Sequence, residues 1–370
     1  EKRIRIATFN SSLNRATAGR LVTDLAGGEN LQAQRVAEII QLTAPDILVL
    51  QEFDYDSDGA GLKTFQAEYL QRPQGAGTAI TYDHRYWVPS NTGVPSGLDL
   101  DRDGKTNGPG DAFGFGKHAG QYAFALLSRY PLAHKKIRSF QMFLWRDMPA
   151  ALLPTRSGET GSTDWYSAEA LDVFRLSSKN HVDIPVSIDG RLLHLLVAHP
   201  TPPVFDGPED RNGRRNHDEI RLITDYISPE KSAYLIDDAG RTGGLAASES
   251  FCVLGDMNAD PFDGDSHAKA IHQLLHHPRI HTEAAHGELV PRSSGAAQRP
   301  KENDRKGDPG LHTAGWGLRV DYVLPSSDLK VLGSGVFWPD DNHPQAHLIS
   351  TTEGKPNSSD HRLVWVDLSL

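Results

Sequence analysis

Short apolar runs recur along the chain and are separated by polar, glycine-rich stretches. These runs predict strands at residues 4–9, 46–51, 79–82, 122–128, 182–188, 192–198, 251–255, 320–324 and 363–368. Apolar residues at helical spacing predict one helix around 36–40, ahead of Pro45, and another around 220–227, ahead of Pro229. Strands outnumber helices and the two types come in mixed order, which indicates an α/β protein.

The strongest runs, at 47–50 and 192–197, lack polar alternation, so we expect both faces of these strands to be covered. Two packed sheets with helices outside would satisfy this requirement. Polar, glycine-rich stretches near 83–121, 145–180 and 283–318 are predicted to be long loop insertions. Because no linker separates two self-sufficient halves, we predict that 1–370 is a single domain.

Charge and composition narrow the possible functions. A chain of 370 residues with a net charge of −10 is not expected to coat nucleic acid through bulk electrostatics, although a nuclease could use a local basic patch. The lone Cys252 allows no internal disulfide and is expected in the core. No apolar run approaches the roughly 18 residues that span a bilayer, so stable membrane insertion is not expected. We also expect a monomer without an obligate protein partner.

The first residue is Glu1 rather than Met. This start fits either a mature exported chain or a trimmed one. Our expectation is therefore a secreted or periplasmic protein.

Polar residues stand directly at the ends of several buried runs. Asn10 follows the first run, Glu52 the second, His199 the run at 192–198, and Asp256 with Asn258 the run at 251–255. If these strands are parallel, their carboxyl ends lie along one edge of a sheet.

Three more polar residues precede strands instead of following them. Asp321 opens the run leading to residue 324, and Asp360 with His361 precedes the last run. An antiparallel strand presents its start at the same edge, so one site could be assembled from six segments. Each piece taken singly could instead be an Asx-turn, a cap or a solvated turn.

Taken together, these segments resemble the endonuclease/exonuclease/phosphatase superfamily, which includes pancreatic-type deoxyribonucleases, apurinic-site endonucleases, inositol-polyphosphate 5-phosphatases and bacterial sphingomyelinases. The resemblance spans nearly the whole chain and implies a four-layer α/β sandwich, with two packed mixed β-sheets flanked by helices. The matching pieces, in the family's order, are Thr8-Phe9-Asn10, Gln51-Glu52, His199, Gly255-Asp256-Met257-Asn258, Val320-Asp321-Tyr322 and Ser359-Asp360-His361.

The resemblance and the needs of phosphoryl transfer together assign roles. Metal ligands are expected at Asn10, Glu52 and Asp360, whose oxygens suit Mg²⁺, or Mn²⁺ or Ca²⁺. The remaining residues are expected to be catalytic. Asp256 would activate the attacking water, Asn258 would bind a phosphate oxygen, Asp321 would position a protonated His361, and His199 would be a second donor to the phosphate.

Substrate contacts are expected from Arg215, Lys179 and Tyr122, although the arginine-rich stretch around 211–217 could equally be a solvated loop and first helical turn. The spacing of Asp99, Asp101 and Asp103, followed by Gly104, matches the first half of a calcium loop. Its twelfth position is Gly110, so a structural Ca²⁺ there would need Asp111 as a substitute ligand, and a solvated acidic turn is the alternative.

Histidine spacing is the remaining metal signal. His272 and His276 are four residues apart, next to His277, but no metalloprotease glutamate stands between them. We therefore expect an exposed helix face there and no zinc site.

The sequence predicts a metal-dependent phosphoesterase that hydrolyses a P–O bond by in-line attack of activated water. We favour a phosphodiesterase or nuclease, with a phosphate ester as substrate and nucleic acid among the candidates. Two alternatives stay open. One is a phosphomonoesterase acting on a small or lipid-borne phosphate, and the other is a catalytically silent binding protein of the same fold.

Overall fold

The computed structural model describes residues 2–156 and 164–370. The strands, in chain order, are β1 Arg3–Asn10, β2 Ile47–Gln51, β3 His84–Trp87, β4 Ala125–Ser128, β5 Arg138–Ser139, β6 His181–Ile188, β7 Arg191–Ala198, β8 Phe251–Asp256, β9 Asp321–Pro325, β10 Lys330–Val336, β11 Thr351–Thr352, β12 Lys355–Pro356 and β13 Val364–Ser369.

The α-helices are α1 Arg20–Leu25, α2 Leu31–Thr43, α3 Ala60–Phe65, α4 Ala168–Leu171, α5 Arg211–Tyr226, α6 His272–Leu275, α7 Thr282–His286 and α8 Ser294–Ala297. A π-helical turn, Gln66–Leu70, continues α3. Short 3₁₀ turns are found at Ala26–Gly28, Pro109–Asp111, His134–Lys136, Trp145–Asp147, His267–Lys269, Pro309–Leu311 and Ala346–Leu348.

Two mixed sheets form the centre of the fold. The first has the strand order β10-β13-β1-β2-β4-β3, and only its β1–β2 pair is parallel. The second has the order β5-β6-β7-β8-β9, with β7–β8 as its parallel pair. Strands β11 and β12 form a separate hairpin. Each sheet therefore has one place where two adjacent strands end at the same edge.

The alternation of side chains along β7 shows how the layers are built. Leu195 and Val197 belong to the core shared with the first sheet, whereas Leu196 and Ala198 belong to a second core on the other face. Both sets are buried, so no polar alternation is needed along this strand. The sequence-based prediction that such strands are covered on both faces is confirmed.

Helices cover the outer face of each sheet. In α2, Val36 and Ile40 join the first core. Asn30 caps the start of this helix, because its side chain accepts a hydrogen bond from the amide of Ala33 at 3.0 Å. In α5, Ile220 and Ile223 join the second core. The result is the expected α/β arrangement of two packed mixed sheets flanked by helices.

One predicted strand is wrong. Residues 79–82 form no strand, and the neighbouring strand is instead β3, inside the expected loop insertion 83–121. The side chains of Ile80 and Tyr82 fill the core, and the Tyr82 hydroxyl donates to the Pro45 carbonyl oxygen at 2.7 Å. Burial alone therefore produced the pattern that we interpreted as a strand.

The sequence also failed to predict β10, which pairs with β13 at the edge of the first sheet. Its central residues Gly333, Ser334 and Gly335 give it no apolar pattern. The single-domain organisation stays a prediction, and part of the expected insertion 145–180, residues 157–163, lies outside the described residues. Within the described residues, no helix is both long and apolar enough to cross a bilayer.

Candidate active site

Strand register brings the polar strand ends together. In the first sheet, Asn10 pairs with Gln51, the residue before Glu52. In the second sheet, Asp256 pairs with Asp321, and the parallel neighbour of β8 ends one residue before His199. The two parallel pairs thus place their carboxyl ends in one cleft.

The Asp256 carboxylate is the centre of the cleft. Its Oδ2 accepts a hydrogen bond from Asn10 Nδ2 at 3.0 Å and lies 3.3 Å from His199 Nε2 and 3.4 Å from His361 Nε2. Its Oδ1 accepts from the backbone amide of Asn258 at 3.0 Å. Burial alone would raise the pKa of Asp256, but the two histidines and Asn10 lower it well below its usual range. The carboxylate is therefore ionised at neutral pH.

His361 is fixed by a chain of buried polar groups. Its Nδ1 donates to Asp321 Oδ2 at 2.8 Å, and that oxygen also accepts from the Thr313 hydroxyl at 2.7 Å. Burial works to lower the pKa of His361, but the carboxylates of Asp321 and Asp256 raise it well above its usual value. The ring is a cation that presents Nε2 to the cleft.

His199 has the opposite protonation behaviour. Burial lowers its pKa to about 4, and the nearby Lys179 ammonium adds to this effect while Asp256 opposes it. The ring is therefore neutral at pH 7, and two histidines 3.3 and 3.4 Å from the same carboxylate oxygen carry different charges.

Glu52 lies on the side of the cleft formed by the first sheet. Its φ of 52° is in the left-handed region, which is costly for a residue with a side chain and occurs most often at functional sites. Burial raises the pKa of Glu52 to about 7; His361 opposes this shift, and the charges of Asp360 and Asp256 add to it. The cleft thus concentrates negative charge beside Glu52.

Asp360 lies at the exposed rim, where its Oδ1 accepts from the Ser12 hydroxyl at 2.9 Å. Asn258 is held from the other side, because its side-chain Nδ2 donates to the Pro200 carbonyl oxygen at 2.9 Å. The amide of Asn258 has a second N–H, and this is the one that a phosphate oxygen could accept from.

The side chain of Lys179 is buried near the same carboxylates. Burial lowers its pKa, whereas the carboxylates of Glu219, Glu52 and Asp256 act to raise it. Glu219, on α5, is completely buried, and its two oxygens accept from the backbone amides of Ser178 and Thr201, each at 2.7 Å. Glu219 therefore fixes both the segment that carries Lys179 and the segment that follows His199.

Tyr122 lies near Glu52. It has a left-handed φ of 63°, and its backbone amide donates to Asp54 Oδ1 at 3.0 Å. Burial raises the pKa of its hydroxyl, and the nearby Glu52 adds to this effect.

The donors of the cleft suit a hard divalent cation. Asn10, Glu52 and Asp360 all offer oxygen, and the negative charge that Asp360 and Asp256 place beside Glu52 is what a cation relieves. A separate group of three atoms, from Asp256, Asp321 and His361, lies within 4.8 Å. The oxygen donors of Asn10, Glu52 and Asp360 fit a bound divalent metal.

Comparison with models of known protein families shows which family the chain belongs to. The model of the endonuclease/exonuclease/phosphatase family matches residues 7–361, almost the whole chain. The chain belongs to this family. Family members generally hydrolyse phosphate esters and depend on a divalent metal, so the resemblance seen in the sequence is confirmed. No curated protein matches the sequence.

Several solved structures resemble this endonuclease/exonuclease/phosphatase chain. A family protein from Leptotrichia buccalis is 15% identical, with a TM-score of 0.49, and the match covers 99% of this chain and 100% of that one. Sphingomyelinase C from Streptomyces griseocarneus is 15% identical, with a TM-score of 0.48 and 100% of both chains covered. TDP2 from Caenorhabditis elegans is 14% identical, with a TM-score of 0.46, 100% of this chain and 75% of that chain covered.

Arg215 does not face the cleft as a free cation. It is buried, its Nε donates to the Leu176 carbonyl oxygen at 2.9 Å, and its Nη2 donates to the carbonyl oxygen of Phe113 at 2.5 Å. Its neighbour Arg211 forms an ion pair with Glu209. The structure therefore gives Arg215 a role in holding loops, which corrects the expected substrate contact.

The acidic loop at Asp99, Asp101 and Asp103 does bring three carboxylate oxygens within 4.8 Å of one another. These side chains also accept hydrogen bonds from backbone amides. For example, the amide of Gly104 donates to Asp99 Oδ2 at 3.0 Å. Asp111, the substitute ligand, accepts the amides of Leu100 and Gly108. A structural Ca²⁺ here stays a prediction.

Two site residues were missed by sequence reasoning. Glu219 lies in the middle of α5, where a buried carboxylate cannot be distinguished from a solvated one by spacing. Trp316 is 46% exposed, and its ring packs edge to face against His361, with ring centroids 5.0 Å apart. The sequence shows this aromatic residue five positions before Asp321, but it stands in a stretch that we predicted to be a loop.

The charge on His361 should depend on Asp321. In Asp321→Asn we expect the pKa of His361 to fall by at least about one unit, because an adjacent carboxylate typically shifts a pKa by about 1–3 units and only Asp256 and Asp360 then still oppose the effect of burial. NMR titration of the histidine ring in EDTA-treated protein measures this.

Asp328→Asn is the matched control, since Asp328 lies beyond the other end of β9 and bonds Ser250. An unchanged His361 titration in Asp321→Asn would show that the pair does not set this charge.

Proposed function

We propose that this chain is a divalent-metal-dependent phosphodiesterase that hydrolyses a P–O bond with an activated water. The observation that carries the proposal is the buried Asp256 carboxylate, which accepts a hydrogen bond from Asn10 and lies 3.3 and 3.4 Å from the Nε2 atoms of His199 and His361. One base, one cation and one neutral N–H donor in a single cleft are what in-line attack on phosphorus requires.

Asp256 orients the attacking water and accepts its proton as the new bond to phosphorus forms. The water needs a fixed acceptor, and this carboxylate is held by hydrogen bonds from Asn10 Nδ2 and the backbone amide of Asn258. The side-chain N–H of Asn258 that is not bonded to Pro200 is available for a phosphate oxygen.

His361 is the general acid of the proposed reaction. As a cation held by Asp321, it stabilises negative charge on the phosphoryl group and donates its Nε2 proton to the leaving oxygen as the old P–O bond breaks. The proton lost by water to Asp256 and the proton gained by the leaving group balance. General acid catalysis of this kind contributes about 10²–10⁴-fold.

Glu52 and Asn10, with Asp360 at the rim, would hold the divalent metal, which when bound neutralises charge on the phosphate oxygens. Lys179 donates to a phosphate oxygen in this proposal, and Glu219 holds its segment in place. His199, neutral at pH 7, donates to the phosphate or to Asp256 without adding charge.

Trp316 favours a phosphodiester over a small phosphomonoester. Its half-exposed ring lies against His361, so a group carried by the phosphate would contact an aromatic surface directly beside the proton donor. A nucleobase gains about 1–3 kcal/mol from such stacking. We therefore propose a nucleotide-containing diester, such as a segment of single-stranded nucleic acid, as the substrate.

Substitutions of the metal ligand Glu52 and of the base Asp256 should have different kinetic effects. Glu52→Gln should raise the Mg²⁺ concentration for half-maximal activity at least about tenfold, because one charged ligand is lost. Asp256→Asn should lower kcat by about 10²-fold or more while leaving the metal requirement nearly unchanged. Hydrolysis of an aryl phosphate diester against Mg²⁺ concentration measures both.

Glu169→Gln, on the exposed face of α4, is the control for the loss of a surface carboxylate. Equal loss of metal affinity in Glu52→Gln and Asp256→Asn would contradict the assigned roles. No EDTA-sensitive hydrolysis of any ester would favour the silent binding protein.

A substrate comparison tests the diester proposal. The parent protein should hydrolyse an aryl diester and a short single-stranded oligonucleotide faster than an aryl monoester. Trp316→Ala should raise KM for the oligonucleotide about fivefold or more, in line with the loss of one stacking contact. Trp316→Phe should keep most of the parent KM.

Turnover of the monoester alone would overturn the diester proposal. If Trp316→Ala and the parent protein have the same KM for the oligonucleotide, the proposal that the substrate contains a nucleotide is wrong.

A further inference from the structure

Three histidines cluster outside the cleft, on the segment that follows β8. His272 begins α6 and His276 directly follows its last residue, so the two share one face of this helical turn. His286 ends α7. The ring centroids of His272 and His276 are 5.0 Å apart, and those of His276 and His286 are 4.6 Å apart.

The hydrogen bonds of His272 prepare one of its nitrogens to bind a metal. Its Nε2 lies 2.6 Å from the Pro261 carbonyl oxygen, which can only accept, so Nε2 carries the proton. Nδ1 is then unprotonated, and its lone pair accepts a hydrogen bond from Nε2 of His276. Metal-binding histidines typically show this pattern, with the second ring nitrogen donating to a backbone carbonyl or a carboxylate.

A metal ion would take the place of this hydrogen bond, with His276 in the tautomer that keeps its proton on Nδ1. Nδ1 of His272 lies 3.1 Å from Nε2 of His276. Two nitrogens bound to one tetrahedral ion at about 2.0–2.1 Å lie about 3.3 Å apart, so the pair needs to open by only a few tenths of an ångström.

We propose that His272, His276 and His286 form a binding site for a transition-metal ion of the zinc, nickel or copper type. His286 is exposed at the end of its helix, and its ring centroid lies 4.6 Å from that of His276, so we expect a rotation of its side chain to bring the third imidazole to the ion. Three imidazole ligands favour these metals over Mg²⁺ or Ca²⁺, which prefer oxygen.

His277 does not belong to this site. Its Nε2 lies 2.7 Å from the Ser228 hydroxyl oxygen, and its Nδ1 accepts from the amide of Arg279. The third ligand therefore comes from α7, ten residues after His276, which the i, i+4 spacing alone could not indicate.

The ion would link α6 and α7 to the segment that leaves the catalytic strand. The Pro261 carbonyl belongs to that segment, and Asp260 beside it accepts from the amides of Phe262 at 2.8 Å and Arg319 at 2.7 Å. Binding at the histidines should therefore raise the melting temperature of the whole domain.

The test is calorimetric titration of the EDTA-stripped full chain with Zn²⁺ alone, in buffer that contains excess Mg²⁺ to occupy the oxygen ligands of the cleft. We expect binding with a Kd in the micromolar range or tighter and a rise in Tm on adding Zn²⁺. His276→Ala and His286→Ala should each weaken this binding at least about tenfold.

Both side chains are exposed, so the variants should fold, and the Tm without metal checks this. His343→Ala, which removes an exposed histidine elsewhere, should leave the affinity unchanged. Parent-like Zn²⁺ affinity in either His276→Ala or His286→Ala overturns the proposal, and so does the absence of binding to the parent protein. The readout uses no substrate, so it is independent of the proposed hydrolysis.

Discussion

The architecture depends on one buried negative charge, the carboxylate of Asp256. An ionised carboxylate cannot be removed from water unless donors replace the lost hydration. Here the donors come from distant parts of the chain, since Asn10 belongs to the first sheet, His199 follows the strand beside β8, and His361 precedes the last strand. The two sheets must therefore pack in one register for this charge to be tolerated, and the same register forms the cleft.

Most of the cleft could be predicted from the sequence because of how its strands end. A buried strand that stops at a polar residue places that residue at a sheet edge, and Asn10, Glu52 and Asp256 all do so. The parallel pairs β1–β2 and β7–β8 then brought these edges together. The antiparallel pairing of β8 with β9 did the same for Asp321.

The remaining features depend on packing that no local pattern encodes. Residues 79–82 look like a strand because Ile80 and Tyr82 are buried, yet burial does not require strand pairing. Glu219 and Arg215 look like ordinary helix-surface charges, and only the fold shows that their partners are backbone groups of neighbouring loops. His286 meets His276 through the angle between two short helices, which the sequence does not reveal.

The most direct test of the central claim is a crystal structure of the protein with Mn²⁺ and inorganic phosphate, with the ion located by its anomalous scattering. The account predicts an ion bound to a carboxylate oxygen of Glu52 at about 2.2 Å, with the phosphate between it and the imidazoles of His199 and His361. An ion and phosphate bound away from Glu52, with Asp256 in contact with neither the phosphate nor its water, would contradict it.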